Sequence, residues 1–334
     1  MMRKYLGVTA GVGAALLLLG VSTGPASAEP DYSKIEADLR MLTGNPRGSW
    51  PPTCAKITEL VSRKMPKVNI SCSTGASFSN VEALNADRAD LALTLTDALY
   101  KSYHGKEKYE GNAQTNVRFL ASLQPIVVHV ITPADGEVKT LEDIAKKSVR
   151  LTAFTKQSAT YALNEDIFKL YGSSLEDLKN RGGTVSTVSF GEGFRLMQDG
   201  QVDFLAFTTG LPAAPVIEAE SKLKLKWHQL DDARLDKLAE MNPGMSTMAL
   251  PASTYESLTS DYKTVGSFTA LIARDDLDPD LVEGIVAAIW ENVEDFRKVG
   301  AFAKPVTIDN AVKGSTVPLH EGAKRYYDAK GIGR

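Results

Sequence analysis

Short apolar runs recur along the chain, each closed by a polar turn and followed by apolar residues three and four positions apart. Residues 39–43, 68–72, 90–93, 117–123, 126–132, 148–153, 185–190, 202–207, 223–229, 247–249 and 263–273 read as strands. Helical spacing covers 53–64 behind Pro51 and Pro52, 160–171 with Ala162, Leu163, Ile167, Phe168 and Leu170 buried together, 193–200, and 278–298 with Pro279 near its start. A further helix follows Pro318. Strand, polar loop and helix alternate throughout, which is the signature of an α/β fold. The rhythm runs through two successive blocks and predicts two lobes: 29–130, then 131–263, with 264–334 returning to the first.

The N-terminus departs from this rhythm. Arg3 and Lys4, an apolar stretch over 12–21 and Ala26-Ser27-Ala28 form a secretory leader, expected to be cleaved after Ala28 and to place the protein in the periplasm. That stretch is too short to span a membrane comfortably, and no later run approaches ~20 apolar residues. The whole chain carries 38 Lys and Arg against 41 Asp and Glu, a formal charge of −3. Both signs are mixed along it, which argues against a nucleic-acid partner. Roughly 300 residues beyond the leader suffice for two ordinary lobes in a monomer. Cys54 and Cys72 are the only cysteines. In an exported chain the pair reads as a disulfide, with two buried thiols or a metal pair as the alternatives.

The candidate chemistry sits in the turns that end strands, where open α/β sheets bind ligands. The turn Ser73-Thr74-Gly75-Ala76-Ser77 opens a helix whose first N–H groups lack partners and favour negative charge. Gly44 through Trp50 opens another, where Gly48 and Ser49 offer N–H groups, Arg47 a guanidinium and Trp50 a flat wall. Thr155-Lys156-Gln157-Ser158-Ala159-Thr160 faces them from the second block. Ser77, Thr74 and Asn80 are expected as donors in the first lobe, and Thr155, Ser158, Ala159 and Thr160 across the cleft. Thr96 adds a hydroxyl, Lys156 a cation, and Thr208 and Thr209 a secondary contact. Asp97 either accepts from an amine or caps its helix. His104, His129, His228 and His320 lack metal-ligand spacing and read as structural. With no Gly-x-Ser-x-Gly elbow, His-Glu-x-x-His motif or P-loop, an exported enzyme is the weaker rival to a binding protein, and a periplasmic sensor the other.

Taken in order, these motifs resemble the substrate-binding components of TRAP transporters of the TAXI type, from about Leu39 to Gly331. The likeness rests on Thr43-Gly44 through Gly48 and Trp50, Ser73 through Ser77 with Asn80, and 91–97 followed by Tyr100. It continues through 155–160, Gly210-Leu211-Pro212, Leu250-Pro251-Ala252-Ser253-Thr254-Tyr255, and Pro318-Leu319-His320 with Gly322-Ala323. The resemblance implies a two-lobed periplasmic binding protein fold (type II) with two hinge-crossing strands, no cofactor, and delivery of a small organic acid to an ion-gradient-driven TRAP permease. Glutamate, 2-oxoglutarate and related carboxylates are the ligands it suggests, and it supports pairing Cys54 with Cys72. Arg47, Trp50, Ala76 and Thr96 depart from the residues usual in that family.

Overall fold

The computed structural model describes residues 30–333; the leader and its cleavage point after Ala28 lie outside them. The strands are β1 (Glu36–Leu42), β2 (Lys67–Ser73), β3 (Leu91–Leu95), β4 (Val117–Pro133), β5 (Arg150–Thr152), β6 (Thr184–Ser186), β7 (Leu205–Thr209), β8 (Leu225–Trp227), β9 (Ser246–Leu250) and β10 (Tyr262–Arg274). One sheet runs β2-β1-β3-β10-β4-β7, with β8 on β4 and β9 on β10. β5 and β6 pair in parallel, and Leu151 bridges to Phe204 beside β7.

Two long antiparallel strands tie the halves together. The first half of β4 pairs with the second half of β10, which also holds β3 through Thr269–Ala273. Beyond Val127, β4 turns its other edge to β7, and β10 pairs with β9 over 262–266. β4 therefore gains β7 at Val127, and β10 passes from β9 to β3 between Gly266 and Thr269, near a register shift at Phe268/Ala270. Residues 117–123 and 126–132 are not two strands: Gln124 and Pro125 continue the same one, with Pro125 opposite Phe268. Proline is tolerated where a ladder is already irregular.

Each lobe has its own apolar core. Leu39 and Met41 of β1 pack between the helix Trp50–Lys64, through Ile57, Leu60 and Val61, and the helix Pro279–Trp290, through Ile285 and Ile289. Every residue of β3 is buried, so it reads as a continuous apolar run without alternation. In the second lobe Val128, Val130, Leu151, Ile167, Phe168 and Phe204 form one cluster, and Phe190, Phe194, Phe207 and Tyr255 belong to another. The helix expected over 278–298 breaks at Asn292, whose amide donates to Ala288 O at 2.9 Å; a short helix, Val293–Phe296, follows.

Cys54 and Cys72 are bonded, which decides among the three readings of the pair. The bridge ties the first helix to β2 across a separation of 18 residues. On the loop-entropy model, replacing both with alanine should cost about 3 kcal/mol. Urea unfolding of that variant, and of the wild type under reductant, should show the same loss; an unchanged midpoint would contradict it.

His129 and His228 are buried in the second lobe as neutral rings. His129 Nδ1–H donates to Val127 O at 3.0 Å, which leaves Nε2 to accept the Tyr255 hydroxyl at 2.9 Å. Burial pulls His129 down to about 3 and His228 to about 4. Unfolded histidine titrates near ~6.5, so the unfolded chain binds protons first as pH falls. The stabilisation is complete above ~6.5 and lost as pH drops through the folded values, at up to ~1.4 kcal/mol per pH unit per group. Urea midpoints measured from pH 7 to 4.5 should fall, less steeply in His129→Gln; identical slopes would remove His129 from this explanation.

Candidate functional site

The carboxyl ends of β1, β2 and β3 supply the first wall. Their geometry is set by Asn80, fully buried in the helix Ser77–Asn85. Its Nδ2 donates to Thr43 O and Leu93 O, both at 2.7 Å, and its Oδ1 accepts from Ala76 N at 3.1 Å. One side chain thus fastens the ends of two strands to the turn between them. Gly75 is required there, because an added Cβ would stand 2.0 Å from Asn80 Oδ1. Trp50 lies across Gly44, where a Cβ would meet its ring at 2.7 Å, and Nε1 donates to Thr269 Oγ1 at 2.9 Å. The helix Trp50–Lys64 has prolines at its second and third positions, so it offers fewer N–H groups than an ordinary N-terminus.

The second wall is built the same way. Ser158 caps the helix Ala159–Leu170 by accepting from Tyr161 N at 3.2 Å. Thr160 and Thr208 share a hydroxyl hydrogen bond of 3.0 Å. Phe154 sits at φ +59°, in the left-handed region that a bulky residue rarely occupies, and its ring lies 5.0 Å from that of Phe190. Ser189 caps the helix Phe190–Gln198 through Glu192 N, so residues 187–190 form a loop and cap where the alternation Val185-Ser186-Thr187-Val188 had suggested continued strand.

Between these walls lies a cavity of about 350 Å³. Gly44, Gly48, Ser49, Trp50, Thr74, Gly75 and Ser77 line it from one lobe, and Thr155, Ser158, Thr160, Thr208 and Thr209 from the other. Asn45, Pro46 and Ala76, within the turns expected to bind, line it too, as do Leu95, Ile126, Phe154 and residues 187–190, which the sequence did not single out. The Ser189-x-x-Glu192 capping pattern would have exposed the last of these. Leu95, Ile126 and Phe154 left no signal, because an apolar residue facing a cavity looks like one facing a core. Helix N-termini aimed at such a space favour an anion by roughly 0.3–1 kcal/mol each, and up to ~2 when partly buried.

The remaining candidates lie elsewhere, each for a physical reason. Asn80 is consumed by its three bonds. Thr96 begins a helix directly after β3, donating to Gly244 O at 2.9 Å and accepting from Phe268 N at 3.2 Å. Ala159 packs into the first-lobe core. Arg47 turns outward to Glu218 at 2.5 Å. Lys156 borders a second, 240 Å³ cavity with Glu165 and Lys169. Asp97 is buried in the first turn of the helix that Thr96 begins, near Ser267 and Lys101, with burial raising its carboxyl above the usual range.

Among the described residues, four polar contacts join the lobes around the cleft. Phe78 N donates to Gln157 O at 3.0 Å, Thr96 bonds Gly244, Arg47 meets Glu218, and Lys101 lies 3.6 Å from Asp166 with both side chains buried. Burial lowers the Lys101 affinity for its proton, but Asp166 and Glu107 outweigh this and hold it above the usual lysine range. These contacts bring the two walls together, and the cavity between them is lined from both lobes and open to solvent at Thr74, Thr155 and Ser189.

Two lobes threaded by a pair of long antiparallel strands, with a cavity at the strand ends between them, define the type II periplasmic binding protein fold. The chain belongs to the NMT1-like family, whose model matches residues 41–331. Among solved structures it is similar to the periplasmic binding protein BugD, at 12% identity and a TM-score of 0.57, covering 88% of this chain and 98% of that one. It is also similar to MatC from Rhodopseudomonas palustris with bound malate, at 14% identity and a TM-score of 0.55, again over 88% and 98%. A structure from work on glutathione import via GshT and the cystine ABC importer of Streptococcus mutans matches at 13% identity and a TM-score of 0.50, over 80% and 95%. At these identities the likeness is one of fold.

Proposed function

We propose that the protein is an exported solute-binding component that captures a small organic anion between its lobes and presents it to a membrane permease. The observation that carries this is the cavity between the lobes, whose polar groups are hydroxyls, the Asn45 carboxamide and helix N-termini converging from both sides. Such groups bind and orient a carboxylate. They form no nucleophile and base pair, which favours binding over catalysis. The motif order shared with TAXI-type components suggests a TRAP permease as the acceptor and sets glutamate and 2-oxoglutarate, with the malate held by MatC, as the reference ligands against which other carboxylates are compared. Opening would hinge where β4 and β10 change partners, a few residues from the lobe boundaries expected at 131 and 264.

Ligand that binds only the folded state stabilises it by ~2.7 kcal/mol at a hundredfold excess over Kd, or about 5 °C for a chain this long. A thermal-shift screen should therefore show such a rise with carboxylates. Thr155→Trp should abolish the rise while leaving the unliganded midpoint unchanged, since Thr155 is exposed in its turn and bonds through its backbone oxygen. Shifts with sugars or metal cations alone would overturn the anion reading.

A further inference from the structure

The wall of the cavity is neutral: among the described residues that line it there is no Asp, Glu, Lys, Arg or His. Its polar side is hydroxyl, backbone and the Asn45 carboxamide. The rest is apolar and comes from both lobes, with Trp50 and Leu95 on one and Phe154, Val188 and Phe190 on the other, and Ile126 at the crossing. The four ionic side chains within two residues of the lining in sequence are directed elsewhere. Arg47 is paired with Glu218 outside, Lys156 borders the second cavity, Asp97 is buried against Ser267 and Lys101, and Glu192 is paired with Arg195.

From this we infer that the ligand is an organic monoanion with an apolar body of about ring size, lacking both an amine and a second carboxylate. The inference rests on the reading of the cleft as the ligand site. A single carboxylate can be satisfied by the hydroxyls and N–H groups of Ser49, Thr74, Ser77 and Thr155. An ammonium group would be buried with no carboxylate to receive it, and a second carboxylate would leave water for an uncharged, half-apolar wall. The aromatic rings on both sides repay an apolar body instead, in the manner of sites that are mostly apolar with a few placed polar groups. Selectivity thus comes from rejecting extra charge as much as from attracting the first one.

Calorimetric titration with a matched series tests this on wild-type protein dialysed from denaturant to remove any retained ligand. The probes are 3-phenylpropionate, L-phenylalanine, which adds an ammonium, phenylsuccinate, which adds a carboxylate, 3-phenylpropanol, which lacks charge, and 2-oxoglutarate and L-glutamate. The expected result is that 3-phenylpropionate binds at least about tenfold tighter than every other member. In Val188→Arg, which places a cation on the partly exposed loop of the wall, 2-oxoglutarate should gain at least about tenfold relative to 3-phenylpropionate. Tighter wild-type binding of 2-oxoglutarate, phenylsuccinate or either amino acid would overturn the monoanion inference and leave the anion site standing. An absence of binding by every anion would overturn both.

Discussion

Asn80→Leu is expected to lower stability by about 3–5 kcal/mol and to abolish ligand binding. Leucine matches the volume but strands three buried backbone groups, Thr43 O, Leu93 O and Ala76 N, that asparagine satisfies at 2.7, 2.7 and 3.1 Å. Each orphaned group costs about 1–3 kcal/mol. Because those groups end β1, hold β3 and form the Gly75–Ala76 turn, their release would also loosen the whole first wall of the cavity. Urea unfolding reads the first effect and calorimetry the second. A loss under 1 kcal/mol would show that the strand ends are held by other means.

Trp50→Ala should cost a similar 3–5 kcal/mol, the usual range for truncating a buried aromatic residue, and should weaken ligand binding by at least about tenfold. The ring is 9% exposed, lies on Gly44, is anchored to Thr269 and forms part of the cavity wall. Trp50→Phe keeps the apolar face and removes the Nε1 hydrogen bond, so it should lose only about 1 kcal/mol and retain most of the affinity. Equal losses of affinity in the two variants would assign the effect to the hydrogen bond and not to the ring.

Much of this architecture was legible in the sequence because strand, loop and helix obey different periodicities, and because glycine and hydroxyl residues gather where strands end. The turns at Gly44, Gly75 and Ser158 follow from that rule, and the structure places all three at the cavity. Charge was misleading. Arg47, Lys156 and Asp97 sit in or beside the right loops, but a charged group goes where a partner or water can satisfy it. The partner of Arg47, Glu218, is 171 residues away and invisible to local pattern. Thr96 and Asn80 were read as ligand groups because their positions adjoin the turns, yet each spends its polar atoms on distant backbone. Apolar lining left no mark at all, since Leu95, Ile126 and Phe154 satisfy the same periodicity whether they face a core or a ligand. The continuity of β4 was hidden by Gln124 and Pro125, which look like a turn until β10 is laid beside them.

Mass spectrometry of the small molecules released on denaturing the purified protein tests the central claim most directly. The expected result is one organic anion at near one equivalent per chain from the wild type and its absence from Thr155→Trp. A sugar, a metal ion or the same anion retained by Thr155→Trp would contradict binding of an organic anion in this cleft.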